Sequence, residues 1–317
     1  MAFSTRAMVA SAKGSAEVLQ PAVVDLLRPR RPDDVLVRLR AASLNPADVF
    51  FRQLGGYLDN GAPLVLGHDG AGVVEAVGSS VDSVQLGDRV CFCNGGIGGD
   101  AGTYAEHAVV PQTQLAKIPD GIDFATAAAL PLVAITATEA LIERAGVSSG
   151  EFVLVHGGAG GTGHLAIQLA KHSGARVATT VSTADKAKRA MALGADCTIL
   201  YRSEDFVAAG GAFTGGRGFD VALDNIGGET LTRTYAAMAP YGRISTLMGL
   251  AADDRETTAY NRNLTIHAVM MLTPMWLGLT EHLARQAAIV RRVLDHVAAG
   301  RVRVDIARKF PLCEVAN

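Results

Sequence analysis

The chain is poor in cysteine, in net charge and in long apolar runs. Its only cysteines are Cys91, Cys93, Cys197 and Cys313. Only the first two are close in sequence, so neither a disulfide framework nor a four-cysteine zinc lobe can be assembled. A reducing cytoplasm is the compartment this composition fits. The net charge is −2, which gives no field to draw nucleic acid or an anionic membrane surface. The opening MAFSTRAMVASAKGSAEVL has no apolar core of the kind a signal peptide needs. The longest uncharged stretches are Phe124–Thr138, which carries Pro131, and Asn263–Thr280, which carries His267 and Pro274. Both stop short of the roughly 20 apolar residues that cross a bilayer, so they read as buried segments.

Apolar residues nevertheless make up 49% of the 317 positions, more than one ordinary core needs, so two domains are expected. The 35 glycines are not periodic; they punctuate short segments, as in α/β proteins. Up to about Asp123 the chain reads as β-rich. DDVLVRLRAASLN alternates apolar and polar residues, and AGVVEAVG, GDRVCFC and TYAEHAVVP follow as short strands between turn residues. This pattern predicts a small barrel or sandwich. DFATAAALPLVAITATEALIERAG then turns helical, broken or kinked at Pro131. From Phe152 strands and helices alternate. Strands are expected at Phe152–His156, Ala175–Val181, Cys197–Leu200, Phe219–Asp224, Arg243–Met248 and Leu264–Met271, with helices at Thr162–Ser173, Asp185–Leu193 and Glu229–Met238. Such alternation implies a doubly wound parallel sheet. LTEHLARQAAIVRRVLDHVAAG reads as an amphipathic helix closed by Gly300, and RVRVDIARKF as a strand.

The chemistry is concentrated in VLVHGGAGGTGHLAIQLAK, residues 153–171. Gly158-x-Gly160-x-x-Gly163 follows an apolar strand and opens a helix, the setting in which this spacing holds a dinucleotide pyrophosphate on free helix amides. An acid near the end of the second strand would select NAD through the ribose 2′-hydroxyl. Residues 177–184 contain none; Ser182 and Thr183 come instead, then Lys186, Lys188 and Arg189. Hydroxyls and cations suit a 2′-phosphate, so NADP(H) is the expected cofactor. Helix capping by Ser182 or Thr183, with solvated cations beyond, is the alternative.

LNPADVFFRQ, GHDGAGVVEAVG, GDRV and the glycine turn together resemble the medium-chain dehydrogenase/reductase superfamily, in its zinc-independent, zeta-crystallin-like quinone oxidoreductase branch. The resemblance runs from about Leu36 to the C-terminus. It implies a GroES-like β-barrel catalytic domain over residues 1–122, a Rossmann NADP-binding domain over 123–272, a return to the first domain over 273–317, and an active site in the cleft between domains. Family members usually continue past the equivalent of FPLCEVAN with one more helix and a closing strand. Of the three places where zinc-containing relatives have ligands, this chain has Asn45 at the first, keeps His68 at the second and has Leu132 near the third. One ligand of three cannot hold a tetrahedral zinc, so no metal is expected and His68 is read as a structural hydrogen-bonding residue. By the same resemblance Asn45 and Phe50 face nicotinamide and substrate, with Asn45 bonding the substrate carbonyl or the cofactor. Thr136 lies near the nicotinamide ribose. Ala159, Gly160, Gly161 and Thr162 take the pyrophosphate, and Ser182, Lys186 and Tyr201 the 2′-phosphate. Asn225, Met248, Gly249, Val269 and Met270 line the path of the cofactor at the ends of later strands. Tyr57 and Tyr104 are the available phenolic donors. The implied activity is hydride transfer from NADPH to a quinone or an α,β-unsaturated carbonyl. A non-catalytic NADPH-binding protein and a dedicated biosynthetic enoyl reductase remain as other readings. A homodimer is expected through an edge strand at residues 263–271.

Overall fold

The computed structural model describes residues 2–27, 31–54, 64–97, 100–250 and 258–316. The chain divides into two compact units, one of Met1–Leu132 with Leu272–Asn317, the other of Val133–Met271. The composition change near Asp123 thus falls just inside the first unit.

In the first unit β1 (Ala2–Ala10) lies between β2 (Leu19–Leu27) and β4 (Leu64–Val65). A second sheet runs β7–β3–β5–β6–β8, from His107–Pro111, Asp34–Ala42, Asp69–Val77, Arg89–Cys93 and Ala116–Lys117. Its pairs are antiparallel, and an isolated bridge from Ala7 to Ala105 joins its loops to β1. Alternation in β3 and its partners turns Val35, Val37, Val74, Val90, Phe92 and Val110 into one core. Helix α1 (Pro46–Leu54) follows β3; α2 (Phe124–Ala128) ends before Pro131, which opens α3 (Pro131–Ala137), as its fixed φ allows at a first helical turn. The C-terminal stretch adds α9 (Thr273–Leu277) and α10 (Thr280–Ala298). Arg291 of α10 donates to the carbonyl of Leu115 at 2.9 Å. Residues 301–310, expected to form a strand, join no ladder: Val302 is buried, but its neighbours are largely exposed and pair with no strand among the described residues.

The second unit is a six-stranded parallel sheet in the order β11–β10–β9–β12–β13–β14. The strands are β9 Phe152–His156, β10 Arg176–Val181, β11 Cys197–Leu200, β12 Phe219–Asp224, β13 Met238–Thr246 and β14 Thr265–Ala268. Helices α4 (Gly161–His172), α5 (Ala184–Ala192), α6 (Phe206–Phe213) and α7 (Gly228–Ala237) connect them, and α8 (Thr258–Asn261) precedes the last. Two expected strands differ. β13 starts at Met238, where a helix end was expected, because Met238 pairs with Phe219 before an irregular stretch that includes Tyr241 at φ 63°. β14 is shorter than expected, pairing only from Thr265 to Ala268. Beyond α3 the helix widens into a π-helical run, Thr138–Arg144. There Ser245 of β13 donates to the Ala140 carbonyl at 2.7 Å, and a side chain entering the ladder in this way is a known cause of such distortion. Phe152, Leu154, Phe219, Leu231, Tyr235 and Ile244 centre the core.

The adjacent glycines of α6 make opposite demands. A Cβ on Gly210 would lie 2.5 Å from Phe219 Cε2 in the core, whereas one on Gly211 would meet nothing. Gly210→Ala should therefore cost about 1–3 kcal/mol by overpacking. Gly211→Ala should gain about 0.5–1 kcal/mol of helix stability. Chemical denaturation of the two variants checks the signs.

Candidate functional site

The turn after β9 brings the fingerprint glycines together. Gly157 has φ +69°, open to glycine at little cost. A Cβ on Gly158 would lie 2.0 Å from Thr179 Oγ1, and one on Gly163 would lie 2.3 Å from the Gly157 carbonyl oxygen. Neither position accepts a side chain. At Gly160 the nearest atom would be 3.2 Å away; this residue is the N-cap of α4. His164 is the first amide to bond back along the helix, to the Gly160 carbonyl at 3.0 Å. The amides of Gly161, Thr162 and Gly163 thus open the helix as unbonded donors at its positive end, beside Ala159. Val133 of α3 borders the turn, 3.3 Å from where a Cβ on Gly161 would sit, and Thr136 is buried on the same helix.

The remaining residues expected in this unit follow the carboxyl ends of parallel strands. Ser182 follows β10, and the amide of Tyr201, just past β11, bonds the Val181 carbonyl at 3.2 Å. Thr183 caps α5, accepting from the Lys186 amide at 3.3 Å. The helix-cap alternative therefore holds for Thr183. Lys186 has no ion pair among the described residues, whereas Lys188 stands 3.8 Å from Asp185 on the surface. Asn225 follows β12, Met248 and Gly249 follow β13, and Val269 and Met270 follow β14; Val269 is buried, Met248 and Met270 exposed. The order reverses between β9 and β12, and the carboxyl ends beside such a switch are where open α/β sheets hold ligands. Asp224 organises the loop there. It accepts from the amides of Ile226 and Gly227, and from Thr246 Oγ1 at 2.9 Å. Sequence reasoning missed it.

The first unit holds a separate cluster. His68 and Asp69 are fully buried, Asn45 and Asp48 nearly so. His68 Nδ1 pairs with Asp48 Oδ1. Asp48 also accepts from the Asn45 amide at 2.7 Å and from Tyr104 Oη at 3.0 Å. Asp69 Oδ2 accepts from Asn45 Nδ2 and from Ser43 Oγ, each at 2.8 Å, and its Oδ1 accepts from the Leu132 amide at 2.9 Å. Two carboxylates therefore bind together Asn45, His68 and the Leu132 amide. Among the described residues no group of three or more His, Cys, Asp or Glu could hold a metal. His68 is held through Nδ1 by Asp48, while its buried Nε2 has no hydrogen-bond partner among the described residues.

Two expectations are revised. Asn45 Nδ2 also bonds Ser43 Oγ at 3.1 Å, so both its hydrogens are taken and only its Oδ1 can serve a ligand. Tyr104 is buried at 3% exposure, its hydroxyl engaged by Asp48 and its pKa pushed well up by burial; it is no proton donor to substrate. Tyr57 lies outside the described residues. Cys91 and Cys93 are buried thiols whose pKa values burial raises, which makes them inert. Phe50 is 54% exposed, edge-on to Phe51 at 5.6 Å, and Phe51 stands edge-on to Trp276 at 6.2 Å.

Residues 31–120 match the family model described as an alcohol dehydrogenase GroES-like domain, and residues 161–286 the one described as a zinc-binding dehydrogenase. A quinone oxidoreductase of Pseudomonas aeruginosa is 33% identical over 97% of this chain and 92% of its own length. A 2-haloacrylate reductase of a Burkholderia species is 33% identical over 80% of this chain and 76% of its own. A mycobacterial protein solved in complex with NADPH superposes with a TM-score of 0.83 at 27% identity, covering 98% of this chain and 94% of that one. The fold is thus that of the medium-chain dehydrogenases: a GroES-like unit and a Rossmann-like parallel sheet. The chain belongs to the medium-chain dehydrogenase/reductase superfamily, in its zinc-independent, quinone-oxidoreductase-like family, and is an oxidoreductase. Among the described residues no helix is long and apolar enough to cross a membrane.

Burial pushes Asp69 up to about 6, against the three hydrogen bonds that favour its charged form. A carboxyl raised on folding stabilises most below its unfolded pKa, and that stability is lost as pH rises through the folded value. Relative to Asp69→Asn, the wild type should gain about 2 kcal/mol of unfolding free energy between pH 7 and pH 4. Denaturation followed by fluorescence of Trp276, the only tryptophan, reads this unit. An equal difference at both pH values would contradict it.

Proposed function

We propose that this oxidoreductase uses NADPH to reduce a quinone or an α,β-unsaturated carbonyl without a metal. The observation that carries the reading is the glycine turn closed to side chains at Gly158 and Gly163, with hydroxyls, a Lys186 that has no ion pair among the described residues, and no carboxylate over residues 177–184 at the adjoining strand end. The helix amides at Gly161 and Thr162 take the pyrophosphate. Ser182, Lys186 and Tyr201 take the 2′-phosphate, and Thr136 stands by the nicotinamide ribose. Reduced nicotinamide, when bound, supplies the hydride.

With its amide hydrogens held by Asp69 and Ser43, Asn45 offers Oδ1 as an acceptor, suited to the carboxamide of the cofactor rather than to a developing oxyanion. Phe50 gives an apolar face to the substrate. Among the described residues no phenol or carboxyl is assigned to the reacting oxygen in this reading, so solvent delivers the proton. That limits the substrate to carbonyl compounds already electrophilic, such as quinones and enones. The similarity to a 2-haloacrylate reductase supports an activated alkene. Among the described residues β14 is the edge strand of its sheet, which supports a homodimer in which two sheets join about a two-fold axis.

Lys186→Ala should weaken NADPH binding by about tenfold through loss of a charged contact, and leave NADH binding unchanged. Titration calorimetry with both cofactors checks this; an equal loss for both would overturn the 2′-phosphate assignment. A panel of quinones and enones, read as NADPH oxidation, tests the substrate class, and turnover of saturated ketones alone would contradict it.

A further inference from the structure

Strand β9 ends on a histidine, buried where its neighbours are Phe, Val and Leu, and both ring nitrogens are engaged. Nδ1 of His156 lies 3.2 Å from Thr180 Oγ1, and Nε2 lies 2.9 Å from Thr234 Oγ1. The hydroxyls determine which nitrogen holds the proton. Thr234 donates its own hydrogen to the Thr230 carbonyl, 2.7 Å away on the same helix. Toward the ring it can only accept, so Nε2 donates. In a neutral imidazole Nδ1 is then bare, and Thr180 donates to it. Thr180 Oγ1 in turn accepts from the Gly157 amide at 3.1 Å. Each hydroxyl donates once and accepts once in a series from Gly157 to Thr230, and the Gly157 N–H is shared, donating also to the Thr180 backbone carbonyl at 3.1 Å.

The ring's surroundings keep it neutral. Phe206 of α6 stands edge-on to it at 4.9 Å. Asp224 of β12 is the charged group that acts on it, and that carboxylate already accepts from Ile226, Gly227 and Thr246. Burial outweighs it and pushes the His156 pKa down to about 4. The backbone of the same residue joins the other side of the site: the His156 carbonyl accepts from Asn225 Nδ2 at 2.7 Å.

We propose that His156 is a positioning residue for the dinucleotide turn. Its Nδ1 holds the Thr180 hydroxyl so that an oxygen lone pair, and not the hydrogen, meets the Gly157 N–H; this adds a second acceptor to the Thr180 carbonyl, and the two together fix the peptide from which the turn departs. The proposal rests on the cofactor reading above for what the turn holds; the tautomer itself does not. A histidine here does what an apolar strand residue could not, because it couples α7, through Thr234, to the first amide of the turn.

The test compares NADPH with 2′-AMP, which carries the 2′-phosphate but no pyrophosphate. Thr180→Val and His156→Leu should each raise the Kd of NADPH about tenfold and leave 2′-AMP unchanged, and Thr180→Ser should restore NADPH binding. In ¹⁵N spectra of the wild-type chain, the His156 signals, assigned by their loss in His156→Leu, should be those of the neutral Nε2–H tautomer. Wild-type binding of both compounds with Thr180→Val unaffected would overturn the proposal alone. So would a protonated or Nδ1–H ring, which the spectra read even if Thr180→Val fails to fold. A wild-type chain that binds neither compound would overturn the cofactor reading, and this proposal with it.

Discussion

Helix α4 is pressed so closely onto the end of β9 that a single methyl group could not be placed between them. At Gly163 the missing Cβ would lie 2.3 Å from the Gly157 carbonyl oxygen and 2.8 Å from Gly158 Cα. Much of the second unit follows from this approach. It points the first helix amides past the ends of β9 and β10, and it puts the turn beside the strand pair where the sheet order reverses. In the proposed reading it also leaves the stretch after β10 as the place where adenosine ribose specificity is decided. An alanine at Gly158 or Gly163 would have to move backbone or the Thr179 side chain, and Thr179 is itself bonded to the Val155 carbonyl at 2.6 Å.

The first unit is governed by a different constraint, that of burying two carboxylates side by side. Asp48 and Asp69 are both close to fully buried, a costly state unless each charge is met by donors. The donors are counted out among His68, Tyr104, Asn45, Ser43 and the Leu132 amide. Removing one partner would leave a buried acceptor unmatched, which typically costs about 1–3 kcal/mol. Asn45, His68 and the Leu132 amide are thus held by hydrogen bonds, and the side chain of Asn45 is committed to that task before any ligand arrives.

The glycine turn and the strands β9, β11 and β12 were legible because their signals are local: apolar runs bounded by turn residues, and glycines at a spacing that sterics enforce. The ends of β13 and β14 were less so, since pairing and a bulge opposite Phe219 set them, not composition. Residues 301–310 alternate well enough to read as a strand, yet alternation cannot show that a partner is present. The hydrogen-bonded carboxylates were illegible for a like reason. Asp48, Asp69 and Asp224 look like ordinary acids in the chain, and only the fold brings their donors to them. His156 left a trace, a histidine closing an otherwise apolar strand, but its meaning depends on two threonines, at 180 and 234, far from it in sequence.

The central claim is that hydride passes from a nicotinamide to an electrophilic carbon conjugated to a carbonyl, without a Lewis acid. The most direct measurement uses NADPH deuterated at C4 with an enone substrate, the product being analysed by NMR. The account predicts deuterium on the β-carbon of a saturated ketone, at the same rate with and without a chelator. Deuterium on a carbinol carbon, or activity abolished by chelation and restored by zinc, would contradict it.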